Sequence, residues 1–299
     1  MTLRRVVVLG HTGLIGAAVM AELARIAPAL DVQGASLGAV DLADPASAAR
    51  LAPLLQPDTS VVLCAAIKRQ LGDSPDIYLR NTQILATMAS LLSRYPVGRL
   101  VYLSSAAVYG EDVENLAITE DTPLVARTYY GLSKITGEWI LSKIVEEGAA
   151  ASLGLVRPAM IYGPGDQTTS YGPSSFLDAT VTGRPISLWG DGRELREMIY
   201  VDDAARIIAA YALMSHSGPL NIASGISYSF TDAVEAAAEI VGVRTPVSSK
   251  DRSKPKVDNR FDASRLKAMM PDLGFTPLAE GMRRTFRQRY GARAEQPGL

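Results

Sequence analysis

The sequence predicts an α/β protein built on a doubly wound parallel sheet, with a smaller lobe toward the C-terminus. Three observations predict it. Short apolar, β-branched runs alternate with longer segments of helical spacing through about residue 160. The first run ends in a glycine-rich turn that opens a helix. Beyond about residue 165 the alternation loosens into loop-like stretches. The expected division is a sheet domain over residues 1–165 and a lobe over 166–299, with parts of about 195–225 returning to the sheet.

Residues 4–9 form the first expected strand, and Gly10-His11-Thr12-Gly13-Leu14-Ile15-Gly16 lead into a helix from about Leu14. Such a turn lets the main chain approach a pyrophosphate, and the helix N-terminus offers unpaired N–H groups to the anion. With a strand before it and a helix after it, the turn indicates dinucleotide binding in a Rossmann-type fold rather than a merely tight bend. Residues 31–36 give the second strand, ending in Gly34-Ala35-Ser36. Neither a carboxylate to repel a ribose 2′-phosphate nor an arginine to bind one stands there, so NAD and NADP both remain open at this point. Asp41-Leu42 precedes Asp44-Pro45, a helix cap and first turn for residues 46–55. Asp41 is placed to reach an adenine amino group or to close a plain turn.

The third strand is expected over residues 60–66, ending in Ala65-Ala66-Ile67-Lys68, where small residues let a cofactor pass and Lys68 projects toward the crevice. Asp73 and Ser74 before Pro75 start a long helix that carries Asn81, whose amide must find partners, by bracing a neighbouring loop, the favoured reading, or by touching the cofactor region. Residues 100–103 make the next strand, with Ser104-Ser105 at its end, in the crevice where open α/β sheets bind ligands. A helix capped by Thr128 follows, its apolar face marked by Leu132, Ile135, Trp139, Ile140 and Ile144. Residues 153–156 supply a further strand, closed by Arg157-Pro158. Tyr162-Gly163-Pro164-Gly165 and residues 168–175 read as loops, and Trp189-Gly190-Asp191-Gly192 as a turn ahead of Arg196.

Tyr130 and Lys134 lie four residues apart on the capped helix, so phenol and ammonium share one face. A phenol titrates near ~10, and a neighbouring cation favours its phenolate, which makes it a usable proton shuttle at neutral pH. Spacing alone allows a chance pair; the glycine turn and Ser105 supply the context that argues otherwise. Composition excludes other classes. A net charge of -1 gives no reason to expect nucleic acid or an anionic membrane as partner, and no run of 18 apolar residues or signal-peptide pattern occurs. A cytoplasmic protein is expected. The basic run over residues 283–293 reads as a solvated helix face. The single cysteine, Cys64, sits in an apolar run as core, and two histidines far apart leave no metal-site pattern.

Together, Gly10-x-x-Gly13-x-x-Gly16, Ser104-Ser105-Ala106-Ala107-Val108-Tyr109-Gly110, Tyr130-x-x-x-Lys134, Arg157-Pro158 with Tyr162-Gly163-Pro164, and Gly190-Asp191-Gly192 with Arg196 and Tyr200-Val201-Asp202-Asp203 resemble the extended short-chain dehydrogenase/reductase superfamily. The likeness covers almost the whole chain and is strongest to the sugar-nucleotide epimerase/dehydratase group. The resemblance implies Tyr130 as acid/base, Lys134 as the holder of the nicotinamide ribose and Ser105 as the positioner of the reacting oxygen. It implies a cofactor surface of Gly10 to Gly16, Ser36, Asp41, Leu42, Ala65, Ala66, Lys68, Tyr130, Lys134 and Pro158. Substrate contacts fall to Ser105, Ala106, Tyr130 and Arg196, the last suited to a nucleotide phosphate or else to a salt bridge with Glu194 or Asp203.

Departures narrow the subtype. Ala106 and Ala107 stand where the group's dehydratases carry an Asp-Glu pair, which disfavours dehydration. Met160 replaces an asparagine typical of epimerases, whereas Ala65-Ala66-Ile67-Lys68 looks like an epimerase segment. The glycine turn and the short path to Asp41 look more like the NADPH-using 4-keto reductases. The expectation is an NAD(P)-dependent epimerase or 4-keto reductase acting by hydride transfer at C4 of a nucleotide-linked sugar, with the balance tipped to NADP(H) and a homodimer as an assembly to test. The alternative is a non-catalytic dinucleotide-binding regulator of the same fold, against which the joint presence of Ser105, Tyr130 and Lys134 argues.

Overall fold

The computed structural model describes residues 2–68, 72–167, 171–252 and 255–291. Part of the loop expected over 168–175 and the end of the basic run, including Arg293, lie outside the described residues. The chain divides into two compact units: Met1–Gly110, Glu120–Pro158 and Ala204–Ile222 form the first, and Glu111–Thr119, Ala159–Asp203 and Ala223–Leu299 the second.

In chain order the first unit contains β1 (Arg5–Leu9), α1 (Leu14–Ile26), β2 (Asp31–Ala35), α2 (Pro45–Ala48), β3 (Thr59–Leu63), α3 (Pro75–Arg94) and β4 (Arg99–Leu103). After β5 (Asn115–Ile118), which belongs to the second unit, come α4 (Tyr129–Glu146) and β6 (Leu153–Pro158). β7 (Met160–Tyr162), α5 (Pro173–Thr182), β8 (Ile186–Trp189), β9 (Leu195–Arg196) and β10 (Met198–Tyr200) follow. Then α6 (Val201–Leu213) leads to β11 (Gly218–Ile222), and β12 (Tyr228–Ser229), α7 (Phe230–Val241), β13 (Val247–Lys250), β14 (Asn259–Phe261), α8 (Ser264–Met269) and α9 (Leu278–Tyr290) complete the chain.

Six of these strands form one parallel sheet in the order β11-β6-β4-β3-β1-β2. The direction of winding reverses between β1 and β3, and that reversal opens a crevice at the carboxyl ends of the two strands, beside the glycine turn. β1 and β3 are apolar on both faces, as buried parallel strands must be: Val6, Val7, Val8, Leu9, Val61, Val62 and Leu63 are fully buried. One face packs α3 and α4 through Leu85, Met88, Leu92 and Leu141. On α6, the carbonyls of Tyr211 and Ala212 accept hydrogen bonds from the side chains of Arg99 and Ser60 on the strands.

Three expectations need correction. Residues 173–175, expected as loop, are the first turn of α5, which Pro173 starts. The third strand ends at Leu63, so residues 64–68 leave the sheet as an irregular segment. The helix expected over 46–55 is a single α turn, capped by Asp44, followed by a 3-10 segment, because Pro53 cannot donate an α-helical bond.

In the second unit the strands pair two by two: β5 with β14, β7 with β10 and β8 with β13 in parallel, β9 with β12 antiparallel. Helices α5, α7 and α9 pack together, with Tyr171, Phe176 and Phe230 in mutual ring contact. A capping box of Ser229 and Asp232 starts α7. Among the described residues, no helix is long and apolar enough to cross a membrane.

Candidate active site

The glycine turn follows from close packing. A Cβ at Gly10, whose φ is +87°, would lie 2.8 Å from the Ala65 nitrogen, and one at Gly16 would lie 2.3 Å from the Gly10 carbonyl oxygen. Gly13 differs: its φ is -76° and its Cβ would meet the Gly10 oxygen only at 3.4 Å, an ordinary contact. Gly10 and Gly16 are therefore required by the fold, whereas the space at Gly13 is open. The first turn of α1, Leu14 to Gly16, has no capping side chain, so its N–H groups are available to an external anion. A cradle of this shape fits a pyrophosphate. Thr12 is exposed, and the His11 ring lies where a Cβ at Gly34 would fall, 2.4 Å from its Cγ, with Nδ1 buried and without a partner. β2 thus keeps a glycine at Gly34 to make room for His11.

Around this turn the remaining expected cofactor residues have distinct placements. The Ser36 carbonyl accepts the N–H groups of Ala39 and Val40, closing a turn. Asp41 accepts the Ala43 N–H with one carboxylate oxygen, and Leu42 is buried. Ala65 and Ala66 are half-buried in the segment that leaves β3, and Lys68 is exposed. Asn81 fixes this segment by exchanging hydrogen bonds with both main-chain groups of Ile67, at 2.7 and 3.1 Å, and reaches Ser133 of α4 at 3.4 Å. Pro158 closes β6 and is buried.

Lys134 and Tyr130 meet near the carboxyl end of β4, and the 3-10 turn that Ser105 caps packs against the start of α4, where a Cβ at Gly131 would lie 2.8 Å from the Ala107 oxygen. Thr128 caps α4 by accepting the Gly131 N–H, and Asp73, ahead of α3, accepts the Tyr130 N–H at 3.0 Å. This second cap ties the start of α4 to the loop before α3, and no pattern in the sequence announces it. The Lys134 ammonium is buried, donates to the Leu103 carbonyl at 2.6 Å, and lies 5.6 Å from the Tyr130 ring centroid and 5.0 Å from that of Tyr102. Burial lowers its proton affinity to about 8, opposed by Cys64 and Glu138. Burial pushes the Cys64 thiol up to about 12, against the pull of Lys134, which leaves it inert. The Ser105 hydroxyl accepts the Ala107 N–H at 3.2 Å, capping a 3-10 turn over Ala106–Tyr109, so its own proton remains available for donation. Lys134 also borders a small cavity with Ala65, Ala66, Asn81 and Tyr102.

Beneath this cluster lies a buried polar network, of which the sequence reading singled out only Ser104 and, as part of a motif, Tyr109 and Arg157. Glu138, one turn beyond Lys134, accepts hydrogen bonds from Ser104 Oγ at 2.5 Å and from Arg157 Nε and Nη2 at 2.9 and 2.6 Å. Arg157 Nη1 continues to the Tyr109 hydroxyl and the Glu120 carbonyl, and Tyr109 donates to Asn221 on β11 at 2.7 Å. The spacing Tyr130-Lys134-Glu138, four residues apart twice over, could have revealed Glu138 as a third member of the same helix face.

That face agrees with the expected one at Ile140 and Ile144, which belong to the core, and departs from it at Leu132 and Trp139. Gly131, Ser133, Lys134, Gly137, Glu138, Leu141 and Ile144 are buried, whereas Leu132 and Trp139 are exposed, the latter at 70%. The inner face needs small residues because the Tyr102 hydroxyl would lie 2.4 Å from a Cβ at Gly137. Arg196, on β9 in the second unit, is half-buried and donates to the carbonyls of Leu195, Val257 and Glu111.

Residues 6–223 match the family model described as the NAD dependent epimerase/dehydratase family. Among similar proteins, a dTDP-4-dehydro-6-deoxy-D-allose reductase from a Streptomyces species is 28% identical over 241 residues, 76% of this chain and 73% of the relative. A dTDP-glucose 4,6-dehydratase from Streptomyces griseus is 28% identical over 226 residues, 73% of this chain and 67% of the other. The crystal structure of the Thermus thermophilus UDP-glucose 4-epimerase in complex with NAD is 25% identical, with a TM-score of 0.83 over 96% of this chain and 99% of that one. With more than two thirds of its length inside the family model, and with the glycine turn, Ser105, Tyr130 and Lys134 all inside the match, the chain belongs to the NAD dependent epimerase/dehydratase family.

Proposed function

We propose that this protein is an NAD(P)-dependent enzyme that acts by hydride transfer at C4 of a nucleotide-linked sugar, as a 4-epimerase or a 4-keto reductase. The observation that carries this reading is the buried Lys134 ammonium, held by the Leu103 carbonyl at the end of β4, 5.6 Å from the Tyr130 ring. The bound dinucleotide would accept or supply the hydride. The chain's own residues handle the proton: Tyr130 takes it from the sugar hydroxyl or returns it to the ketone oxygen, and Ser105 donates a hydrogen bond to that oxygen. Lys134 stabilises the phenolate and holds the nicotinamide ribose. Gly10 to Gly16 would cradle the pyrophosphate, residues from Ser36 to Leu42 the adenosine, and Ala65, Ala66, Lys68 and Pro158 the path between. Ala106 and Arg196 are each proposed as substrate contacts, the first to the sugar and the second to a nucleotide phosphate.

Ala106 and Ala107 favour simple redox chemistry over dehydration, which needs a further acid and base. The absence of a carboxylate at the end of β2 supports NADPH, and with it the reductase direction. A homodimer is part of the same proposal: the exposed Leu132 and Trp139 on α4 would be covered by a second copy.

The test is to denature freshly purified protein, quantify any released dinucleotide, and then assay hydride exchange with UDP- and dTDP-linked hexoses. Tightly held NAD with epimerisation would remove the NADPH preference. Stoichiometric NADPH oxidation by a 4-keto sugar nucleotide would support it. Tyr130→Phe should lower turnover by ~10²–10⁴-fold with dinucleotide affinity intact. Absence of exchange with every sugar nucleotide would favour the regulatory reading.

A further inference from the structure

A second cluster of charges lies wholly within the second unit. Arg252, two residues past β13, crosses over Gly190, where a Cβ would meet its Nε at 2.2 Å. Its Nη1 donates to Glu194 and its Nη2 to Asp191 at 3.2 Å. Glu194 is 7% exposed, and its second carboxylate oxygen is buried with no hydrogen-bond partner. Arg196 anchors Nη1 on the carbonyls of Leu195 and Val257, at 2.8 and 2.6 Å. Tyr171 packs on Phe230 with ring centroids 4.2 Å apart, and its hydroxyl approaches the Trp189 main chain without forming a hydrogen bond.

These groups feel one another. Burial and then Glu194 raise the Tyr171 hydroxyl to about 12, while Arg252 and Arg196 pull it down. Burial lowers the proton affinity of Arg196, with Glu194 acting against that and Arg252 adding to it.

A pair of guanidinium groups is the natural receiver of a phosphate. Here the guanidinium groups already face carboxylates from within: Glu194 and Asp191 at Arg252, and Glu194 with Asp258 at Arg196, Asp258 being itself paired with Lys256. A carboxylate with one oxygen partnered and the other buried alone is costly to keep. It occupies a position in the charge balance that an incoming anion would otherwise fill.

We propose that Glu194 is an internal counter-ion that competes with an anionic substrate group for the Arg196–Arg252 pair, and so sets how tightly the protein holds a nucleoside diphosphate. This rests on the reading of a nucleotide-linked sugar as substrate. Glu194 is then a specificity-determining residue: it weakens the hold on phosphate and favours release.

The experiment is calorimetric titration of UDP, inorganic pyrophosphate and uridine into the wild-type protein, Glu194→Gln and Asp191→Asn. Thermal melting and dinucleotide binding check that each variant is folded. Glu194→Gln removes one buried charge and should bind UDP roughly tenfold tighter or more, with a similar gain for pyrophosphate. Uridine, lacking phosphate, should show no gain. Asp191→Asn, at a solvent-screened position, should gain about threefold. Unchanged or weaker UDP binding by Glu194→Gln overturns the proposal and makes Glu194 a brace for Arg252 instead. Should that variant fail to fold, unchanged or weaker binding by Asp191→Asn overturns it. Turnover of sugar nucleotides by the wild type is scored separately. A gain in UDP affinity without turnover would sink the substrate reading and leave the counter-ion standing, and turnover without that gain would do the reverse.

Discussion

Replacing Glu138 by alanine should destabilise the first unit more than most single changes could. The carboxylate accepts three hydrogen bonds, one from Ser104 at 2.5 Å and two from Arg157 at 2.9 and 2.6 Å, and the paired side chains are 5% and 6% exposed. Burial works against the Arg157 charge, and the bonds to Glu138 more than reverse that, so its proton affinity is raised overall. Without Glu138 the guanidinium stays buried, with the Tyr109 hydroxyl and the Glu120 carbonyl as partners but no carboxylate on its Nε and Nη2. Removing one member of such a pair costs about 3–5 kcal/mol, a large part of the ~5–15 kcal/mol that keeps a domain folded. Replacing both members by apolar residues, as in Glu138→Leu with Arg157→Met, leaves no unpaired charge and should recover at least about 2 kcal/mol of the summed single losses. Urea denaturation followed by far-UV circular dichroism, on the wild type, both singles and the double, measures this coupling. A Glu138→Ala cost below about 1 kcal/mol, or a double mutant equal to the sum of its singles, would refute the reasoning.

Two further outcomes follow from the same geometry. Lys134 titrates at about 8 in the fold against 10.5 as its ordinary value, so the ammonium that Tyr130 needs is lost above pH 8. kcat/KM should fall by about tenfold per pH unit beyond it. A flat profile from pH 7 to 10 would remove Lys134 from that role. The sign for stability is opposite: the unfolded chain binds more protons between those two values, so this residue's penalty on folding fades as pH rises through them. Gly13→Val should keep its melting temperature within about 3 °C and lose dinucleotide affinity, while Gly16→Val should unfold the turn, since its Cβ would sit 2.3 Å from the Gly10 oxygen. A folded Gly13→Val with unchanged affinity would place the pyrophosphate elsewhere.

The sheet was legible in the sequence because parallel strands buried on both faces need uninterrupted apolar runs. The apolar cores of the expected strands 4–9 and 60–66, Val6 to Leu9 and Val61 to Leu63, are the buried parts of the strands observed over 5–9 and 59–63. The glycine turn was legible because only glycine can stand 2.8 Å from the Ala65 main chain at a φ of +87°. Asn81 was read correctly as a brace for the same reason that any buried amide must find partners. What could not be read was contact across the fold. Asp73 caps a helix 57 residues away, and Asn221 meets Tyr109 across 112 residues. Neither pairing leaves a mark on local spacing. Arg252 is the same case: its ties to Glu194 and Asp191 depend on β13 lying against β8, a pairing between four-residue strands that no periodicity announces.

Helix α4 shows why the remaining misreading was physical rather than accidental. The rule that apolar residues mark the buried face assigns Leu132 and Trp139 to the core, yet both are exposed, and the helix buries Ser133, Lys134 and Glu138 instead. Packing alone would not choose that orientation, since an ammonium and a carboxylate cost more to bury than a leucine and a tryptophan would gain by burial. The fold meets the cost locally: Lys134 donates to the Leu103 carbonyl, Glu138 is held by Arg157 and Ser104, and Gly131 and Gly137 let the helix come close enough for those bonds to form. Local rules fail in this way where a chain has been shaped by something besides stability. The burial of Lys134 and Glu138 is therefore an argument, independent of any motif, that the face carrying Lys134 has a use beyond holding the sheet together.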